Sequence, residues 1–154
     1  MKILRYVLYV LIAIFFLLQF VPAELPENSA EVSNDIVMSS GASEEIQSIL
    51  RKACYDCHSK QTKYPWYSFV APVSWLIAKD TREGREELNF SEWAGLSKRK
   101  KIKALNDIAE EVEEKKMPLK IYTVVHRDAI LSDQEIEALM SWTKSLSDNI
   151  LSEN

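Results

Sequence analysis

The chain has 154 residues, 47% hydrophobic and 27% charged, enough for one domain with short appendages. With 3 Gly and 5 Pro it lacks the turn formers that a sandwich or barrel requires. A net charge of −4 offers no basic footprint for nucleic acid, so no such partner is expected.

Lys2 and Arg5 precede an apolar run, Tyr6 to Leu18, that resumes after Gln19 with Phe20 and Val21. A charged start followed by such a run is an export signal or a membrane anchor. Residues 1–23 are read as an uncleaved signal anchor or transmembrane helix. A cleaved signal is the alternative, with Val21 and Ala23 framing a weak cleavage site around Pro22. After Arg5 no Lys or Arg appears before Arg51, so the positive-inside rule keeps the N-terminus cytoplasmic and exports the rest of the chain. The expected location is the bacterial inner membrane with the domain facing the periplasm, or the periplasm itself if residues 1–23 are removed. Residues 24–42 are small, polar and acidic and read as a flexible tether, with Ile36, Val37 and Met38 as candidates to pack on the domain.

The domain itself is expected over residues 43–150. Ser43 is a good N-cap, and Glu44 and Glu45 suit the positive end of a helix dipole. Ile46, Ile49, Leu50, Ala53, Cys54 and Cys57 then recur every three or four places, which is one buried helical face. Pro65 and Pro72 punctuate an aromatic stretch from Thr62 to Trp75, read as an ordered loop. A helix is expected from near Pro72 toward Glu87, a short turn capped by Ser91 through Trp93, and a helix from Ser97 to about Lys115. Met117-Pro118-Leu119 breaks that helix, Ile121 to His126 forms a short one, and Ser132-Asp-Gln-Glu135 is a capping box for the last. No stretch alternates long enough to require a sheet, so the fold class is all-α.

Cys54-Tyr-Asp-Cys57-His58 is the CxxCH haem-attachment signature. Two thiols must reach the two vinyl groups of one porphyrin, and the adjacent imidazole must meet the iron. One local element at a helix end achieves all three. The chain has 2 Cys, both in the motif, so none remains for a structural disulfide or a second CxxC. The expected cofactor is one covalent haem c per chain, with Cys54 and Cys57 as thioethers and His58 as proximal iron ligand. A dithiol redox pair or a zinc site is the competing reading of the same residues.

Candidates for the other side of the iron are Met117, His126, Met140 and Met38. Met140 lies on the apolar stripe of the last helix and Met38 in the tether. Met117 sits at a break between helices, after a polar run and before Pro118, where a loop residue can be aimed inward. Met117 is preferred as sixth ligand, with His126 or an open, water-bound site as alternatives. His126 can also bond Tyr122, four residues earlier, in a structural role. Trp66, Trp75, Trp93 and Arg85 are candidates to line the haem pocket or bond a propionate. Lys98-Arg-Lys-Lys101 with Lys103 is either a docking face for an acidic redox partner or a solvated face.

Several blocks together resemble the bacterial haem-binding-domain family of small exported single-CxxCH proteins. They are Ala53 to Ser59, Thr62 to Tyr67, Pro72 to Trp75, Glu83-Gly-Arg85, Leu88 to Trp93 (Leu-Asn-Phe-Ser-Glu-Trp), Met117-Pro-Leu119, and Tyr122 to Ala129 followed by Leu131-Ser132. The resemblance spans about residues 35–147. It implies a cytochrome c-like helical fold around covalent haem, with His58 and Met117 in the ligand positions. The family often carries His where this chain has Asp80, so any role of that imidazole is absent here.

The leading functional expectation is a membrane-anchored one-electron carrier rather than an enzyme, because His/Met ligation saturates the iron and raises its potential. A haem-based peroxidase, or a gas or redox sensor with a labile sixth ligand, is the alternative. A haem-free metal or dithiol module is a third. The redox partner and the oligomeric state have no signature in the sequence.

Overall fold

The computed structural model describes residues 2–29 and 33–152; residues 1, 30–32 and 153–154 lie outside them. Among the described residues every regular element is helical. They are α1 (Lys2–Leu18), α2 (Ile36–Ser40), α3 (Glu44–Ala53), α4 (Tyr55–His58), α5 (Val73–Glu87), α6 (Lys98–Glu113), α7 (Lys120–Val125) and α8 (Asp133–Ser152), with 3-10 turns at Trp66–Phe69, Phe90–Gly95 and Arg127–Ala129.

The helix starts follow local side-chain chemistry. Ser43 Oγ accepts from Ile46 N to open α3, and Ser97 Oγ accepts from Lys100 N to open α6. The capping box is formed: Glu135 N donates to Ser132 Oγ, and Ser132 N donates to Glu135 Oε2 at 2.9 Å. The turn after α5 is capped by Asn89, whose Oδ1 accepts from Ser91 N, and not by Ser91; the Ser91 hydroxyl instead accepts from Lys60 N. The helix expected through Cys57 breaks at Cys54, which leaves helical geometry (φ −124°) and divides it into α3 and α4.

Two expectations about the N-terminal third change. α1 stops at Leu18 after 17 residues, and no helix among the described residues is long and apolar enough to cross a membrane. The transmembrane reading of residues 1–23 is therefore not supported by this helix alone. Nor do the described parts of the segment 24–42, residues 24–29 and 33–42, form a free tether; residues 30–32 of that reading lie outside the described residues. Residues 24–29 hydrogen-bond along the domain, and α2 buries Ile36 and Val37 in the core. α2 forms because Asp35 caps it through Val37 N at 2.9 Å and Gly41 closes it in the left-handed region (φ +63°), which a residue without Cβ adopts at little cost.

The core brings α2 and α3 together with α6 and α8. Ile36, Leu50, Phe90, Trp93, Leu105 and Leu139 are its largest fully buried members. α6 lies along α8 on this side and turns Ala104, Ile108 and Val112 toward a second apolar space on the other.

Candidate functional site

The second space is a cavity of about 1080 Å³, at the top of the range usual for ligand sites. Cys54, Cys57 and His58 form one wall. The aromatic loop (Tyr64, Trp66, Tyr67), α5, α6 and the segment from Met117 to His126 form the others. The exposed apolar side chains Trp66, Val73, Leu76, Ile121, Val124 and Val125 all border it. A body with large apolar faces would cover them.

α4 is a single turn, and its placement comes from the two residues inside the motif. His58 N and Cys57 N both donate to Cys54 O, at 2.9 and 3.2 Å, winding the turn. Tyr55 points into the core, where its hydroxyl donates to buried Asp35 at 2.5 Å and Arg51 covers its ring. Asp56 faces the other way: its carboxylate accepts from Lys63 N at 2.9 Å and from the Tyr122 hydroxyl at 2.8 Å. The spacer residues thus tie the turn to α2 on one side and to α7 on the other. CxxCH as a pattern assigns no role to these positions.

Gly84 lets α5 close on this turn. A Cβ there would lie 2.8 Å from the Cys57 carbonyl oxygen and 3.1 Å from Cys57 Cβ. The end of α5 then delivers the carbonyl of Leu88 to His58 Nδ1 at 3.0 Å. A carbonyl only accepts, so Nδ1 carries the hydrogen and Nε2 keeps its lone pair. Burial lowers the imidazole pKa, against a smaller raising effect of the Leu88 and Gly84 carbonyls. A neutral ring with Nδ1 anchored on a carbonyl is the orientation of a metal-binding histidine.

The thiols are not joined as a disulfide. Burial, then the neighbouring Cys57, pushes Cys54 up to about 12. Burial, then Asp80 and Asp56, pushes Cys57 up to about 11, with Arg85 pulling the other way. Dithiol redox catalysis needs a stabilised thiolate, so these thiols lack its main requirement. Among the described residues no group of three or more His, Cys, Asp or Glu is placed to hold a metal ion, so a closed zinc shell has no donors here.

The other expected site residues divide. Met117 and Trp66 line the cavity. His126 lines it too, but both ring nitrogens have partners: Nε2 faces the Tyr67 hydroxyl at 3.1 Å and Nδ1 the Tyr122 carbonyl at 3.2 Å, with its ring stacked on Tyr122. Trp75, Arg85 and Trp93 are not among the cavity's lining residues. Trp93 is 2% exposed in the α3–α6–α8 core, and Trp75 donates from Nε1 to Val21 O. Arg85 is taken up by Ser59 O, Glu27 O, Asn28 Oδ1 and Thr62 Oγ1. Of the basic run, Lys103 pairs with Asp107 and Lys101 lies over the Trp93 ring.

An all-helical domain with an apolar cavity walled by two thiols and one singly anchored imidazole is of the haem-binding class. The chain belongs to the haem-binding domain family, whose model matches residues 13–145. No curated protein and no solved structure shows significant similarity to it.

Proposed function

We propose that the chain is an exported, membrane-attached c-type cytochrome that carries single electrons on one covalent haem. The observation that carries this reading is the alignment of His58: Nδ1 is anchored on Leu88 O, and both cysteines line the same cavity. Cys54 and Cys57 would hold the macrocycle as thioethers, His58 Nε2 would bind the iron, and Met117 would bind from the 117–126 segment. When bound, a haem supplies an iron centre that is reversibly oxidised by one electron. The chain's own groups orient the imidazole, wall off water with the aromatic loop and α7, and supply a soft thioether as second ligand. Met117 is favoured over His126 because each nitrogen of His126 already has a partner. The apolar run of α1 from Tyr6 to Leu18, preceded by Lys2 and Arg5, supports attachment to the bacterial inner membrane, with the domain on the periplasmic face.

The full chain, expressed with a covalent haem-maturation system, tests this by intact mass and pyridine haemochrome. One haem retained after denaturation is expected, and none in Cys54→Ser/Cys57→Ser. The ferric protein should be low-spin with a Met–iron charge-transfer band that disappears in Met117→Ala. A high-spin spectrum in the parent that responds to carbon monoxide at neutral pH would replace the carrier with a sensor or peroxidase. Loss of the band in His126→Ala but not in Met117→Ala would move the ligand.

A further inference from the structure

The segment after α1 makes hydrogen bonds that a tether has no reason to make. Gln19 Nε2 donates to Phe15 O at 2.8 Å, closing α1, and also to Ala71 O at 3.1 Å, while Ala71 N donates to Gln19 Oε1 at 3.0 Å. Val21 O accepts from Trp75 Nε1 at 2.9 Å, Glu24 O from Arg82 at 3.3 Å, and Glu27 O from Arg85 at 2.7 Å. Asn28 and Thr62 then exchange bonds of 2.7 and 3.1 Å. The partners advance in step with the segment, from Ala71 just before α5 through Trp75 to Arg85 within it. The end of α1 is thereby fixed to the domain beside the cavity mouth.

The chain on each side of that joint carries exposed apolar side chains: Phe20 is 82% exposed, with Val21 next to it after Gln19, and Trp66 is 78% and Phe69 68% exposed shortly before Ala71. Trp66 also borders the cavity, and its turn, Trp66–Phe69, packs on α5 and ends two residues before Ala71. α1 itself buries none of its described residues and is apolar on every side after Arg5. Its 17 residues amount to about 26 Å at 1.5 Å each, short of the ~30 Å hydrocarbon core. A helix that is too short for the bilayer is accommodated by local thinning of the bilayer and by flanking residues that sit at the interface. Aromatic rings, tryptophan above all, suit that level.

We propose that residues 19–29 are a rigid strut, and that the collar of Phe20, Val21, Trp66 and Phe69 rests on a phospholipid bilayer, holding the cavity mouth at the membrane surface. This rests on the reading of α1 as membrane-attached. Redox partners would then approach within or along the membrane. The strut also requires residues 1–23 to remain on the chain, since cleavage after Ala23 would remove Gln19 and Val21.

The full haem-loaded chain, in vesicles of phosphatidylethanolamine and phosphatidylglycerol, is irradiated with a trace of phosphatidylcholine carrying a diazirine near the glycerol. Adducts are mapped by mass spectrometry. Adducts on both residues 2–21 and residues 66–76 are expected. Gln19→Ala removes two grips on Ala71, which shifts the docked-to-undocked ratio roughly 5- to 30-fold and should lower the 66–76 adducts while leaving those on α1. Phe69→Ser, on the surface, should lower them without touching the strut. Adducts on α1 but not on 66–76, or an unchanged pattern in Gln19→Ala, overturn the strut and leave the membrane reading standing. No adducts on α1 overturn both. A mature chain lacking residues 1–23 also overturns the proposal.

Discussion

Gly84→Ala is the sharpest test of how this site is built. The added Cβ would meet Cys57 O at 2.8 Å, Cys57 C at 3.1 Å and Cys57 Cβ at 3.1 Å. None of these atoms moves with a rotamer, so α4 and α5 must separate. Restoring ordinary contact near 3.4 Å takes about 0.6 Å. Leu88 N bonds Gly84 O at 2.9 Å, so the Leu88 carbonyl that anchors His58 moves with α5 while His58 stays on α4. Overpacking of this kind costs about 1–3 kcal/mol, and Ala in a helix interior returns about 1 kcal/mol over Gly, leaving a net loss of about 0–2 kcal/mol. Stability alone therefore does not decide the matter, and the visible spectrum is read beside the urea midpoint. The expected result is a modest loss of stability together with a weakened Met–iron band. Gly95→Ala is the control: its Cβ meets nothing within 4 Å, and its unfolding free energy should stay within about 0.5 kcal/mol of the parent's. If Gly84→Ala is stabilised like any exposed helical glycine and keeps the parent spectrum, close approach of α5 does not position the imidazole.

Three further outcomes are expected. Asp35→Ala strands the Tyr55 hydroxyl, the Val37 amide and the Gln61 amide in or near the core and should cost about 2–4 kcal/mol in urea denaturation; a smaller loss than in a chain with the half-buried Asp56 changed to Ala would refute its structural role. Arg85→Ala should cost about 1–2 kcal/mol, since its acceptors are partly wet, and leave the haem spectrum unchanged, whereas a spectral shift would restore Arg85 to the pocket. The third concerns pH. Burial keeps folded His58 neutral where the unfolded chain binds a proton, so acidification below about 6.5 favours unfolding, by at most about 1.4 kcal/mol per pH unit until the lowered folded pKa is reached. Urea midpoints of the chain before haem loading, at pH about 7.5 and 5.5, should show this slope and a shallower one in His58→Gln; equal slopes would refute it.

The parts legible in the sequence are those governed by neighbours. Ser43, Ser97 and the Ser132–Glu135 box each act within one helical turn, and each stands where its pattern indicates. The parts that were not legible depend on partners far along the chain. Residues 24–42 look like a tether because acids and small residues dominate them, yet Asp35 is 1% exposed, satisfied by Tyr55 and Gln61. Arg85 suggests a propionate partner until backbone carbonyls, which carry no residue-type signal, are found to occupy its guanidinium. Trp66 and Trp93 look equivalent in the sequence, but only the first borders the cavity, because the turn Phe90–Gly95 packs against α2 and the core. Tyr122 and Asp56 lie 66 residues apart, and nothing in either neighbourhood announces their bond.

α7 links the cavity to the stability of the domain. Six residues make too short a helix to persist by propensity, and such a helix needs an apolar face packed on something. Ile121, Val124 and Val125 turn that face to the cavity, while polar ties hold its ends, Tyr122 to Asp56 and His126 to Tyr67. α6 has the complementary arrangement, with Leu105 in the helical core and Ile108 on the cavity wall. The proposed cofactor would thus be the second half of the core. A ligand held only by contacts stabilises a fold in proportion to its free concentration. One held by two thioethers would remain with the chain at any dilution. On this view Cys54 and Cys57 belong to the folding of α7 and the aromatic loop as much as to the chemistry at the iron.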